Sequence, residues 1–284
     1  MTLHWEASWG PFYITTLECG NFRLDGGAMF GVVPRVLWEK FHPPDDQNRI
    51  EMALRLLLIR WENRIILVDT GLGSERTEKF RQIYAFEGDD DYLLKALLKI
   101  GIKPEEVTDV ILTHLHFDHC GGSTHRKNTD PSPFFPNARY YIQERQLHHA
   151  RSRNDRDKAS YFSEDFEPLI QNRQAEIYSG PFSLISGVDV LVFQGHTPGM
   201  QCLKLHYDGK TLFYAADLIP LHSHCSLPWI MAYDLYPLTT LEEKRALLTQ
   251  AYEDKWFLIF EHDPFYSVGK VELLAKGFAF QPIG

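Results

Sequence analysis

The chain has 284 residues, of which 44% are hydrophobic and 24% are charged, a composition that is ordinary for a globular enzyme with a sizeable core. Its formal net charge of −9 argues against nucleic acid or an anionic membrane surface as a partner. The thirteen histidines are clustered rather than scattered, which is a first indication of bound metal.

Nothing in the sequence suggests secretion or membrane insertion. The first residues lack the basic and apolar regions of a signal peptide, and no apolar run approaches the roughly 18 residues that a bilayer span needs. The four cysteines are widely spaced and are expected to be free thiols. We therefore expect a cytoplasmic protein.

Helices and strands are predicted to alternate along the chain. Apolar runs predict strands, in chain order, at Leu54–Ile59, Ile65–Val68, Val110–Leu112, Tyr140–Ile142, Val188–Phe193, Cys202–Tyr207, Thr211–Ala215 and Phe257–Phe260. Helices are predicted at Asp91–Ile100 and at Leu241–Asp254, the second from a capping box that begins at Thr240. This mixture predicts a single layered domain over residues 1–284.

The charged segment Arg151–Pro168 has little periodicity. We expect it to be a solvated connection between elements. The alternatives are a lid over the active site and part of a dimer contact.

Four potential metal ligands fall within six residues, directly after the predicted strand Val110–Leu112. They are His114, His116, Asp118 and His119, in the order His-x-His-x-Asp-His. Imidazole and carboxylate groups suit Zn²⁺ and similar divalent ions. A pattern this short also arises by chance, so further ligands are needed from elsewhere in the chain.

Three further candidates each follow a predicted strand. They are His196, Asp217 and His262. Loops at strand ends are where a rigid scaffold displays its functional side chains. Each residue taken singly is more often structural than functional, but seven in this order favour a metal site.

This set of ligands, with Val68-Asp69-Thr70-Gly71 upstream, resembles the metallo-β-lactamase superfamily over nearly the whole chain. The resemblance implies an α+β fold, a four-layer αβ/βα sandwich, with the metal site at one edge of two facing sheets. It also implies that Asp69 orients a ligand histidine through the second ring nitrogen of that histidine. The alternative for Asp69 is a strand-end residue that caps the Gly71 turn.

The resemblance divides the seven ligands between two divalent metal ions per chain. One ion would be held by His114, His116 and His196 and the other by Asp118, His119 and His262, with Asp217 bridging the two. Zn²⁺ is expected, with Mn, Fe or Co as alternatives. The family implies a hydroxide between the metals as the nucleophile, with Asp118 or Asp217 moving a proton to the leaving group.

Three segments are similar to the quorum-quenching lactonase branch, which also contains methyl parathion hydrolase. They are Leu24–Pro34, Ala216–His224 and Pro228–Asp234. This similarity implies opening of a lactone ring, with N-acyl-homoserine lactones as the natural candidates and phosphotriester or aryl ester hydrolysis as a side activity. The residues expected to contact the substrate are Met29, Phe30, His222, Trp229 and Tyr233. Core packing is the alternative for Met29 and Phe30.

One position departs from the lactonase pattern. The best-studied acyl-homoserine lactonases carry a Tyr three residues after the bridging Asp, where this chain has Pro220, which lacks a side-chain donor. His222 is the candidate to replace that donor, ahead of His224 and Tyr233. The alternative for both His222 and His224 is an ordinary surface or core histidine.

Other functions remain as alternatives. The first is thioester hydrolysis of the glyoxalase II kind. Enzymes of that kind usually recognise glutathione through basic residues near the C-terminus, and the tail Lys270–Gly284 has only Lys270 and Lys276. True β-lactamase activity, a non-enzymatic binding module and a mononuclear iron sulfur-oxygenase are less favoured. The expected partner is a small lactone or ester, and by analogy with this branch a homodimer in which Trp38–Ile50 takes part.

Overall fold

A computed structural model describes residues 4–73, 76–88, 90–126, 130–152 and 154–283. The contacts among these residues divide the chain into two compact units. The first unit comprises residues 4–20 and 54–180, and the second comprises residues 21–53 and 181–283. That residues 1–284 form a single domain stays a prediction.

The strands are spread along the described residues. They are β1 (Glu6–Trp9), β2 (Phe12–Asp25), β3 (Arg49–Trp61), β4 (Arg64–Val68), β5 (Asp109–Ile111), β6 (Thr124–Arg126), β7 (Pro131–Pro133), β8 (Arg139–Gln143), β9 (Ala175–Tyr178), β10 (Phe182–Ile185), β11 (Val188–Phe193), β12 (Met200–Tyr207), β13 (Lys210–Tyr214), β14 (Phe257–Ile259), β15 (Val268–Leu274) and β16 (Gly277–Pro282).

The α-helices are shorter on average, with one long exception near the C-terminus. They are α1 (Gly26–Phe30), α2 (Arg35–Trp38), α3 (Glu78–Tyr84), α4 (Tyr92–Lys99), α5 (Phe117–Cys120), α6 (Glu144–Ser152), α7 (Ser163–Gln171) and α8 (Pro237–Glu253). Short 3-10 helices lie at Pro104–Glu106, Gly121–Ser123, Lys158–Ser160, Ala216–Leu218 and His222–Cys225. Within the described ranges, every helix is too short or too polar to cross a membrane.

The first unit contains most of a sheet in the order β1-β2-β3-β4-β5-β8-β9, and it also contains a two-stranded sheet of β6 and β7. Strands β4, β5, β8 and β9 run parallel, and Val68 at the end of β4 lies opposite Ile111 at the end of β5. Residues 66–68 and 109–111 are all buried, as expected for parallel strands that are covered on both faces. The segments that follow β4 and β5 therefore leave the sheet at the same edge.

The second unit contains a sheet in the order β10-β11-β12-β13-β14-β15-β16. Strands β13 and β14 are parallel, with Tyr214 opposite Ile259 at their ends. Phe193, at the end of β11, lies opposite Met200, at the start of β12, and Leu203 in β12 lies opposite Tyr214. The loops that follow β11, β13 and β14 therefore all emerge at one edge.

The chain has a mixed α+β fold with two seven-stranded sheets, which confirms the predicted class. All eight predicted strands overlap observed strands, and Val188–Phe193 coincides with β11. The predicted helix Asp91–Ile100 is α4 with its two cap residues. The four cysteines are free and buried, as expected.

Two predictions about local structure were wrong. Helix α8 begins at Pro237 rather than Leu241, because proline suits the first turn, where its missing N–H is not needed. Thr240 is therefore inside the helix, and its hydroxyl donates to the carbonyl of Tyr236. The segment Arg151–Pro168 is solvated only in its first part, since Asp165 is buried in an ion pair with Arg76 at 2.6 Å.

Candidate functional site

The predicted ligands of the first unit lie where β5 ends and α5 begins. His114, His116, Asp118 and His119 are all buried. Nε2 of His114 and Nδ1 of His116 are 2.9 Å apart. Two nitrogens bound tetrahedrally to one zinc ion would be about 3.3 Å apart, given bonds of about 2.0 Å. The pair therefore has the chemistry and nearly the spacing that a shared cation requires.

Asp69, which follows β4, holds this segment in place. Its Oδ1 accepts the backbone N–H of Thr113 at 2.7 Å, and its Oδ2 accepts the Thr113 hydroxyl at 2.6 Å. Oδ2 also accepts from Nδ1 of His119 at 3.0 Å. With Nδ1 so engaged, Nε2 of His119 is the nitrogen left for a metal. These contacts favour the orienting role of Asp69 over capping of the Gly71 turn.

In the second unit, two predicted histidine ligands lie next to the carboxylate of a third predicted ligand, Asp217. His196, Asp217 and His262 follow β11, β13 and β14, and all three are buried. Oδ2 of Asp217 lies 3.1 Å from Nε2 of His196, and its Oδ1 lies 3.2 Å from Nε2 of His262. The two oxygens thus face different histidines at nearly the separation expected for ligands of one metal ion, about 3.3 Å. This is the arrangement that a carboxylate bridging two cations needs.

The other ring nitrogen of each histidine is fixed by an acceptor. Nδ1 of His196 donates to Oδ1 of Asp234 at 2.8 Å, and Nδ1 of His262 donates to the carbonyl of Ala53 at 2.9 Å. Both rings therefore present Nε2 towards Asp217. In the sequence, Asp234 is marked only as the end of a segment similar to lactonases, because no local pattern identifies a residue that orients a ligand 38 positions away.

The charge around His196 also suits a cation. Burial lowers the pKa of this imidazole, but the neighbouring carboxylates of Asp217 and Asp234 outweigh burial and raise the pKa to about 9. Two carboxylates against one buried ring favour a positive charge at this position. A divalent ion bound to Nε2 would supply that charge in place of a proton.

Helix α8 supports the loop that carries His196. The carboxylate of Glu243 accepts the backbone N–H groups of Gln194 at 2.7 Å and Gly195 at 3.0 Å. Gly195 also packs so closely on Thr240 that an added Cβ would lie 2.3 Å from its hydroxyl oxygen. The loop is therefore held between a carboxylate and the helix backbone.

The predicted substrate residues differ in their accessibility. Met29 and Phe30 are buried, and Phe30 stacks on Trp38 and His224 with ring centroids 5.2 Å away in each case. These contacts favour core packing, the alternative for both residues. Trp229 is half-buried and Tyr233 is exposed, so substrate contact by these two stays a prediction.

The two histidines considered as replacements for a donor at Pro220 are clearly distinguished. His224 is buried, and its Nε2 donates to the carbonyl of Met29 at 2.8 Å. Burial lowers its pKa to about 3, which leaves a neutral core residue. His222 is partly accessible, and its Nδ1 donates to Oδ2 of Asp263 at 2.5 Å.

Among curated proteins, the N-acyl homoserine lactonase of Bacillus cereus is 29% identical over 174 residues. The alignment covers 58% of this chain and 63% of that relative, so this chain spans less than two thirds of the relative's length. A probable metal-dependent hydrolase from Staphylococcus aureus has a similar structure, with a TM-score of 0.89 and 25% identity over 98% of this chain and 99% of that one.

A further similar structure is AidC, a dizinc quorum-quenching lactonase in complex with a product. Its TM-score is 0.81 at 22% identity, over 99% of this chain and 97% of that one, a likeness that shows the fold. The profile of the metallo-beta-lactamase superfamily matches residues 57–262, which is more than half of the chain and includes all seven predicted ligands. This protein therefore belongs to the metallo-beta-lactamase superfamily.

Proposed function

We propose that this protein is a metal-dependent hydrolase that opens lactone rings, with N-acyl homoserine lactones as its substrates and quorum quenching as its role. The observation that carries the proposal is the carboxylate of Asp217, whose two oxygens face Nε2 of His196 and Nε2 of His262. The curated lactonase relatives support the choice of a lactone.

Two divalent ions, most simply zinc, are proposed as cofactors because all the candidate ligands are imidazoles and carboxylates. Each ion would have three ligands besides Asp217. They are His114, His116 and His196 for one ion, and Asp118, His119 and His262 for the other. When bound, such a pair of ions supplies a water of lowered pKa and polarises the substrate carbonyl.

The protein's own groups then bind, orient and move protons. Asp69 and Asp234 hold the rings of His119 and His196 by accepting from Nδ1. Asp118 or Asp217 is proposed to take up the proton of the attacking water, since each carboxylate keeps about a tenth of its side chain accessible. Pro220 supplies no side-chain donor, so the proton for the leaving oxygen comes from Asp118, from Asp217 or from a further residue such as His222.

A panel of substrates in a pH-stat assay tests the proposal. It contains γ-lactones with acyl chains of several lengths, aryl esters, paraoxon-like phosphotriesters and S-lactoylglutathione. Lactones are expected to be the best substrates, with weaker turnover of aryl esters and phosphotriesters. Rapid cleavage of the thioester with no turnover of any lactone would replace the proposal with thioester hydrolysis.

The location of the protein and its oligomeric state are also matters of proposal. We propose a cytoplasmic location and a homodimer that involves residues 38–50. Cell fractionation and light scattering of the purified protein test these two points.

A further inference from the structure

Two side-chain contacts join two loops of the second unit, the loop after β13 and the loop after β14. The first contact joins proposed ligands, because Nε2 of His262 lies 3.2 Å from Oδ1 of Asp217. The second joins a histidine and a carboxylate, since Nδ1 of His222 donates to Oδ2 of Asp263 at 2.5 Å. Asp263 directly follows His262 and His222 lies shortly after Asp217, so the pair is built beside the proposed ligands.

The carboxylate of Asp263 is held in one orientation. It is fully buried, and its Oδ2 also accepts the backbone N–H of His222 at 2.7 Å. Its Oδ1 accepts the backbone N–H groups of Phe265 at 2.9 Å and Tyr266 at 2.8 Å. The group is therefore a hydrogen-bond acceptor aimed at one imidazole.

The ring of His222 packs against neighbouring rings but stays partly accessible to solvent. The rings of His42, Tyr266 and Phe280 lie 5.1, 4.9 and 5.4 Å from it, centroid to centroid, and 12% of its side chain is exposed. His42 is hydrogen-bonded to the Ser223 hydroxyl at 2.9 Å, and burial lowers its pKa to about 4, so it is neutral. Since Nδ1 is engaged by Asp263, Nε2 is the ring nitrogen that remains for another partner.

We infer that Asp263 is a positioning residue that holds His222 as the proton donor to the leaving oxygen. This inference rests on the proposed lactone hydrolysis. As the ring C–O bond breaks, its electron pair stays on the ring oxygen, and the Nε2 proton of the His222 imidazolium passes to that oxygen. The attacking water gives its hydroxyl group to the carbonyl carbon, and the neutral imidazole regains from solvent the proton that this water releases. By accepting from Nδ1, Asp263 keeps a proton on that nitrogen.

Substrates with different leaving groups test the role of His222. An alkoxide leaving from a γ-lactone needs a proton, whereas p-nitrophenolate leaving from an aryl ester does not. His222→Ala is expected to lower kcat on the lactone by about 100-fold, within the range of general acid catalysis, and to leave kcat on the ester nearly unchanged. Equal losses on both substrates would overturn the inference and leave delivery of the proton to Asp118.

Asp263→Asn tests the positioning role. Because Oδ1 accepts two backbone N–H groups, the amide oxygen would occupy that position, and the NH₂ group would face Nδ1 of His222. The ring would then lose both its acceptor and its charged partner, so the same selective loss on the lactone is expected with the imidazole still present. Unchanged lactone turnover in Asp263→Asn would show that Asp263 does not position His222.

The controls separate this inference from folding and from the proposed function. His206→Ala removes a surface histidine that pairs with Asp189 at 3.0 Å in the same unit, and it should affect neither substrate. Metal content and thermal unfolding of each variant report folding. In wild-type protein, ¹⁵N NMR of labelled histidine should find His222 protonated at Nδ1, and a ring protonated only at Nε2 would overturn the inference without any variant. If the wild-type protein hydrolysed neither substrate, the proposed function itself would be wrong.

Discussion

Three histidines of the proposed metal site divide their two ring nitrogens between the protein and a cation. Nδ1 of His119, His196 and His262 donates to Asp69, Asp234 and the Ala53 carbonyl, respectively. Their Nε2 atoms are thereby fixed in position before any ion binds. Orienting contacts of this kind raise the basicity of the ligand and lower the entropy lost on metal binding.

Asp234 offers a direct test at this scale. Asp234→Ala removes the acceptor of the buried Nδ1–H of His196, so metal affinity is expected to fall about 10- to 100-fold, as measured by competition with a chelator. Asp234→Asn keeps an acceptor oxygen and should lose less. The surface pair of Asp189 and His206 provides the matched control, and Asp189→Ala should leave affinity unchanged. Unaltered affinity in Asp234→Ala would show that His196 is not a ligand oriented in this way.

At the scale of elements, periodicity predicted the strands that carry the ligands but not the contacts that hold the loops. Apolar runs mark β4, β5, β11 and β13 because most residues of these strands are buried or half-buried. The strand β2 (Phe12–Asp25) was missed, because its polar residues interrupt the apolar pattern. Helix α8 was predicted too short, and Glu243 was assigned to a capping box when it binds the loop before His196. Contacts between segments far apart in sequence leave no local signal.

Glu243 and its neighbour Glu242 test this support from helix α8. Glu243→Ala leaves two loop N–H groups without their acceptor, and the free energy of unfolding is expected to fall by about 1–3 kcal/mol, as measured by urea denaturation. Glu242 is exposed on the same helix, and Glu242→Ala should change stability by less than about 0.5 kcal/mol. Equal effects of the two substitutions would contradict the support of the loop by Glu243.

At the scale of the whole molecule, each unit of the chain carries some of the proposed ligands. His114, His116, Asp118 and His119 belong to the first unit, and His196, Asp217 and His262 belong to the second. The sequence predicted all seven because the family pattern is carried by residue types at strand ends. It could not predict which of His222 and His224 is accessible, because that depends on packing against Phe30 and on pairing with Asp263.

Metal content measured together with turnover tests whether the protein holds two metal ions at the proposed site. Purified wild-type protein is expected to hold about two divalent ions per chain by elemental analysis, because the proposed ligands divide into two sets of three that share Asp217. His262→Ala removes one ligand of the second ion and should lose both that ion and lactone hydrolysis. A wild-type content near one ion per chain, with undiminished turnover in His262→Ala, would contradict the account.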